Sequence, residues 1–219
     1  VPMLSMEDVV TSAELQAWLD RNGRRYPHGH YDFYAEIKMD GLAVSLTYRQ
    51  GALIVGSTRG DGKVGEDVTQ NLKTIEAIPL RLRVPIAAEM ERAVLHDRKG
   101  LSFPHKKIIH ALVRGEIEIR GEVYMLKKTF EALNRVQKQK GDEPFANPRN
   151  ASAGAIRQLD SKITAARKLS FFGYGLSGDF ELATHEQEHE LMKLLGVPVN
   201  PLNEYCRTLA QVARFHERI

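Results

Sequence analysis

Glu36-Ile37-Lys38-Met39-Asp40-Gly41 decides how this chain is read, because it holds a lysine between two carboxylates. Residues 33–38 read as a short strand, Asp40-Gly41 as a turn, and residues 42–48 as a second strand. In that second strand Leu42, Val44 and Leu46 alternate with Ala43, Ser45 and Thr47. Lys38, at the end of the first strand, is predicted to project from a tight corner into the cavity that the sheet encloses. Burying an ammonium is costly, so such a group is either paired as a cation or shifted toward the neutral amine, which is a nucleophile. A surface lysine beside an ordinary hairpin is the competing reading, and Lys-x-Asp-Gly is too short to decide between them.

Outward from this stretch the pattern is mixed. Thr11-x-x-Glu14 is a capping box, Leu15, Trp18 and Leu19 form a helical stripe, and Gly23 is a stop signal; Trp18 is thereby assigned to the core rather than to base stacking. Strands at 33–38, 42–48 and 52–57, joined by short turns, predict an antiparallel meander. Residues 66–72 read as a short helix. Ile117, Ile119, Val123 and Met125 mark a further strand, and Phe130, Leu133 and Val136 or Gln137 a helix ending at Gly141. Residues 169–176 read as a strand, Thr184-x-x-Gln187 caps a helix ending near Gly196, and Leu209, Val212 and Phe215 stripe a last helix. The sum is an α+β fold of mainly antiparallel sheets flanked by helices.

Composition sets wide bounds. A chain of 219 residues, 42% hydrophobic and 27% charged, suits a globular protein with an ample core. A net charge of +3 permits contact with a polyanion without being the signature of a chain that binds nucleic acid through charge alone. The single cysteine, Cys206, excludes an internal disulfide and a four-cysteine zinc site, and points to a reducing cytoplasm. No apolar run is long enough to span a membrane, and the N-terminus lacks a signal-peptide pattern. The chain starts at Val1, so it is expected to be part of a longer product. His28 and His30 have the spacing of a metal pair without a third ligand, and His185 and His189 stand one helical turn apart; no metal site is assigned to them.

Four more segments accompany the lysine. They are 57–69 (Ser-Thr-Arg-Gly-Asp-Gly-Lys-Val-Gly-Glu-Asp-Val-Thr), 119–125 (Ile-Arg-Gly-Glu-Val-Tyr-Met), 145–154 (Phe-Ala-Asn-Pro-Arg-Asn-Ala-Ser-Ala-Gly) and 156–160 (Ile-Arg-Gln-Leu-Asp). In this order, with Pro2-Met3-Leu4-Ser5-Met6 and Phe171-Phe172-Gly173-Tyr174-Gly175 as further landmarks, the chain resembles the adenylation domain of bacterial NAD⁺-dependent DNA ligases. Each motif is weak alone; the ordered set is specific and covers nearly the whole chain. The resemblance implies a ligase-type nucleotidyltransferase domain, ATP-grasp-like, over residues 1–219. It also implies NAD⁺ and Mg²⁺ as cofactors, nicked double-stranded DNA as partner, a monomer, no membrane, and a bacterial, nucleoid-associated cytoplasmic protein of replication and repair.

The site residues follow from the same resemblance. Lys38 would attack the α-phosphorus of NAD⁺ to give lysyl-AMP, and Asp40 would orient the lysine or help place magnesium. Glu36 would take a hydrogen bond from the adenine amino group, with a cross-strand salt bridge as its alternative. Arg59, in a glycine-rich loop, would grip a phosphate or ribose hydroxyl, or else be an exposed turn arginine. Glu122 would contact the ribose, or simply solvate a strand face. Tyr174 would stack on adenine, though alternation would as readily bury it. Ser5 and Met6 match a segment that closes over the nucleotide. If 150–159 is a helix opened by Pro148, Arg149 and Arg157 stand roughly 12 Å apart along it. They could then touch different phosphates, such as AMP and the 5′-phosphate of a nick; solvated helix arginines are the alternative.

Two departures stand out. Residues 83–115, with Arg92, Arg98, Lys99, Lys106, Lys107 and Arg114, read as a basic insertion, most simply helical with a solvated basic face, with an extra DNA-facing element as the alternative. The two later lysine motifs, the segment that recognises nicotinamide mononucleotide, and the OB-fold, zinc-finger, helix-hairpin-helix and BRCT modules are not in this chain. Weak nucleotide binding and little nick sealing are therefore expected of residues 1–219 alone. Two alternatives to the ligase reading are a related ATP-dependent nucleotidyltransferase and a catalytically incomplete nucleotide-binding module.

Overall fold

The computed structural model describes residues 8–27, 29, 31–60, 62, 64–96 and 103–219. Its elements, in chain order, are α1 (Ser12–Arg25), β1 (Phe33–Ala35), β2 (Leu42–Arg49), β3 (Ala52–Thr58), α2 (Thr69–Leu72), α3 (Ala87–His96), α4 (His105–Arg114), β4 (Glu116–Tyr124), α5 (Lys127–Lys140), α6 (Pro148–Ile156), α7 (Ser161–Ala166), β5 (Ser170–Ser177), α8 (His185–Leu194), β6 (Glu204–Cys206) and α9 (Leu209–Arg218). The chain divides into two compact units, with one division between Ile37 and Lys38 and the other between Asn200 and Pro201.

In the smaller unit the capping box forms: Thr11 Oγ1 accepts from the Glu14 backbone at 3.2 Å, and the Glu14 carboxylate accepts from Thr11 N–H at 2.8 Å. Helix α1 runs past Gly23 to Arg25, because a single glycine costs only about 1 kcal/mol in a helix. Trp18 is half-buried against Phe33 rather than enclosed. Strand β1 pairs antiparallel with β6, in the register Phe33↔Cys206, Tyr34↔Tyr205 and Ala35↔Glu204. Ala35, Cys206 and Phe215 form the core of this unit, and Phe215 lies on the amphipathic α9 expected from the sequence.

The three-strand meander is thus corrected. Strand β1 ends at Ala35 and pairs with β6, not with β2. Residues 36–40 carry no strand pairing, so neither Glu36 nor Lys38 is aimed by a pleat. Local alternation gives strand type but not partner, and here the partner comes from the far end of the chain.

The larger unit is built on a four-stranded antiparallel sheet in the order β3-β2-β4-β5. Gln50 and Gly51, both at positive φ, form the tight β2–β3 turn, whose left-handed residues match the twist of the strands. Val44, Leu46, Tyr48, Ile117, Ile119, Val123 and Phe171 are buried on one face, against which α2, α4 and α8 contribute Leu72, Ile108, Leu112, Leu191 and Met192. The opposite face carries Ala43, Ser45 and Thr47 of β2 opposite Glu122, Arg120 and Glu118 of β4. Tyr124 stacks on Phe172 at the edge, ring centroids 5.2 Å apart.

Segment 83–115 is integral to this unit. Met90, Ala93, Phe103, Ile108, Ala111 and Leu112 are buried in the main core, while Arg92, Lys106 and Arg114 are exposed. Helix α2 starts at Thr69, not at Glu66; Asp67 lies ahead of it and accepts from Thr69 N–H at 2.9 Å. No helix among the described residues is long and apolar enough to cross a membrane.

Candidate functional site

Lys38, Asp40, Glu122 and Arg149 converge where β2 begins and β4 ends. Gly41 is the pivot. It donates its backbone N–H to Glu122, and a Cβ there would lie 2.2 Å from the Val123 carbonyl oxygen and 2.9 Å from Glu122 Cγ. The glycine is therefore demanded by close approach, and that approach carries the Lys38–Asp40 segment over the carboxylate. Glu122 is only 8% exposed. Burial pushes its carboxyl above the ordinary range, and Arg149, the Gly41 N–H and Lys38 partly offset this. Asp40 lies 3.6 Å from the Arg149 guanidinium.

Lys38 itself is exposed, which corrects the expectation that the sheet encloses it. The reason is the lost corner: with β1 ending at Ala35, no hairpin turns the side chain inward. Its charge nevertheless reaches Glu122. Glu36 belongs to the smaller unit, where it is exposed and accepts from the Asn203 side chain at 3.3 Å.

Arg149 owes its place to helix α6. Asn147 caps the helix by accepting from Asn150 N–H at 2.8 Å, Pro148 opens it, and Arg149 follows in the first turn. The Asn134 side chain brackets the approach, donating to the Phe145 carbonyl and accepting from its N–H. Buried Ala151, Ser152 and Ala155 let α6 lie close to its neighbours. The helix ends at Ile156, one turn short of the predicted end, and Leu159 is fully exposed. Arg157 caps the helix and bonds Glu66 at 2.6 Å, so the two arginines at opposite ends of α6 meet different carboxylates. The turn beyond α6 is fixed from below: Asn71 donates to Gln158 O and Thr164 Oγ1, both at 2.8 Å, and Thr164 donates to Ala155 O.

Arg59 follows β3 and is exposed, its N–H donating to Ala43 O at 3.2 Å. The loop after it closes tightly: Gly60 sits at φ +54, and a Cβ on Gly60 or Gly65 would come within 1.7 Å of a backbone oxygen. Tyr174 is half-buried and is the unmatched residue of a bulge in β5, where Gly173 pairs with Gly121 and Gly175 with Arg120. Ser5 and Met6 lie outside the described residues, as do His28 and His30.

Sequence reasoning passed over Glu118 and Ser45. Glu118 accepts from Arg120 at 2.8 Å and from Ser45 at 2.9 Å on the same sheet face as Glu122. Burial acts to raise the Glu118 carboxyl, but these two hydrogen bonds, together with the Arg120 charge, hold the group below the ordinary range. The signal was available: 118, 120 and 122 share one parity in a strand whose odd positions are apolar.

The model of the NAD-dependent DNA ligase adenylation domain family matches residues 1–96 and 98–219. The chain belongs to this family. Proteins named DNA ligase from Lysinibacillus sphaericus (strain C3-41) and Shouchella clausii (strain KSM-K16) are each 42% identical to it, over 219 and 221 residues. A DNA ligase from Syntrophobacter fumaroxidans is 43% identical over 222 residues. These alignments take in 99% to 100% of the chain and 28% to 30% of the relatives' own lengths, so the chain spans less than a third of each. The adenylation-domain match runs through residues 83–96 and 98–115, the stretch that the sequence had set apart.

Proposed function

We propose that this adenylation domain serves a larger NAD⁺-dependent DNA ligase and that Lys38 is the residue adenylated. The Lys38 Nζ lone pair attacks the α-phosphorus of NAD⁺ and an N–P bond forms. The bond from that phosphorus to the bridging oxygen breaks, and nicotinamide mononucleotide leaves with the oxygen and its electron pair. The proton lost from Nζ passes to a nearby carboxylate or to water. AMP then moves to the 5′-phosphate of a nick, and attack by the 3′-hydroxyl seals the strand and releases AMP. The observation that carries this reading is the convergence of Lys38, Asp40, Glu122 and Arg149 around Gly41.

Within it, Glu122 and Arg149 frame the ribose and α-phosphate, while Glu36, Arg59, Tyr174, Ser5 and Met6 contribute to holding the nucleotide. Arg157 meets a phosphate after giving up Glu66 for it. The Asp40 side chain is 68% exposed and only loosely held by Arg149, so it suits a hard cation. Mg²⁺ held there would offset phosphate charge. A monomer acting on nicked duplex DNA in the bacterial cytoplasm at the nucleoid, in replication and repair, completes the proposal.

Intact mass spectrometry after exposure to NAD⁺ tests it. Wild type is expected to gain one AMP and Lys38→Ala none. An undiminished adduct on Lys38→Ala, or an adduct with ATP but not with NAD⁺, would overturn it.

A further inference from the structure

Helix α8 presents two imidazoles one turn apart. Thr184 caps the helix and fixes its start, so His185 and His189 fall on one face. Their Nε2 atoms are 3.2 Å apart. His185 Nδ1 lies 2.9 Å from the Glu188 carboxylate. His189 is fully buried, whereas the His185 side chain is 39% exposed.

The geometry suits a chelate. Glu188 takes the Nδ1 hydrogen of His185, which leaves the Nε2 of that ring as a lone pair facing His189. Two zinc–nitrogen bonds of about 2.05 Å meeting at a tetrahedral angle would separate their nitrogens by roughly 3.3 Å. A carboxylate on the far nitrogen of a ligating histidine is also the usual outer-shell arrangement, since it fixes the tautomer and raises ligand basicity.

We propose that His185 and His189 form a bidentate site for a divalent transition ion of the zinc class, with Glu188 orienting the first ligand. The ion bonds to both Nε2 lone pairs and displaces the hydrogen otherwise shared between them, which moves to the other nitrogen of His189 or to solvent. Mg²⁺ and Ca²⁺ do not compete, because they take oxygen ligands. Occupancy pins the first two turns of α8, and Leu191 and Met192 further along that helix pack in the core beside β5.

The test uses the untagged chain after removal of metals with a chelator. Zn²⁺ is titrated by calorimetry, and the histidine ring nitrogens are followed by NMR. Wild type is expected to bind Zn²⁺ at least about tenfold more tightly than His185→Ala, with the Nε2 signals of His185 and His189 shifting together and Mg²⁺ shifting neither. The exposed position of His185 makes its substitution the safer variant for folding, and the NMR readout needs no substitution. Equal affinity in the two proteins, or shifts confined to other histidines, would show that the pair is only an imidazole–imidazole hydrogen bond and would overturn the proposal.

Discussion

Glu118 and Glu122 stand four residues apart on β4 and face the same side of the sheet, yet their carboxyls are displaced in opposite directions. Burial opposes the charge on both. Glu118 is answered by Arg120 and Ser45 at hydrogen-bonding distance and falls below the ordinary range. Glu122 receives one backbone N–H and the more distant charges of Arg149 and Lys38, and it stays above that range. One carboxylate is taken up by side chains of its own sheet. The other keeps an unmet demand for a cation or donor, which is how a binding group differs from a structural one.

The largest test acts on what covers Glu122. Gly41→Ala forces a methyl group into the Val123 carbonyl and is expected to cost about 3 kcal/mol in chemical denaturation. Next in size, Glu122→Gln is expected to slow AMP-adduct formation by about tenfold or more while leaving stability at neutral pH the same or slightly higher. Glu118→Gln should do the reverse, costing about 1 kcal/mol after allowance for its partial exposure, with adduct formation nearly intact. Equal effects of the two substitutions on the adduct would erase the contrast.

The pH dependence should separate them as well. The raised carboxyl of Glu122 contributes stability that is present below the unfolded-state value and is lost as pH rises through the higher folded value. The lowered carboxyl of Glu118 contributes stability that is present above the unfolded-state value and is lost as pH falls through the lower folded one. Denaturation across the acid range should therefore lose its alkaline-side decline in Glu122→Gln and some of its acid-side decline in Glu118→Gln. Arg149→Ala should move Glu122 further upward, read from its carboxyl carbon by NMR. The smallest effect is expected at the other end of α6: a double-mutant cycle on Arg157 and Glu66, both half-exposed, should give about 0.5 kcal/mol or less.

Much of this was legible in the residues. Period-two alternation located β2 and β4, residues 169–176 read as the strand that is β5, Thr11, Pro148 and Thr184 marked helix starts, and Gly141 marked a stop. What failed was non-local. The pairing of β1 with β6 joins segments about 170 positions apart, and no local pattern encodes that choice. The exposure of Lys38 follows from the same pairing. The helix through 159 overran because Arg157, Gln158 and Leu159 are themselves good helix formers, whereas the turn is set by Asn71 and Thr164 reaching across from other elements. The opposite states of Glu118 and Glu122 needed distances, because in sequence both are acids on one parity of one strand.

The most direct measurement is peptide-resolved mass spectrometry of the chain after incubation with NAD⁺. An AMP group confined to the peptide bearing Lys38, slowed in Glu122→Gln but not in Glu118→Gln, is the predicted result. AMP on another lysine, or none at all at saturating NAD⁺, would contradict the account.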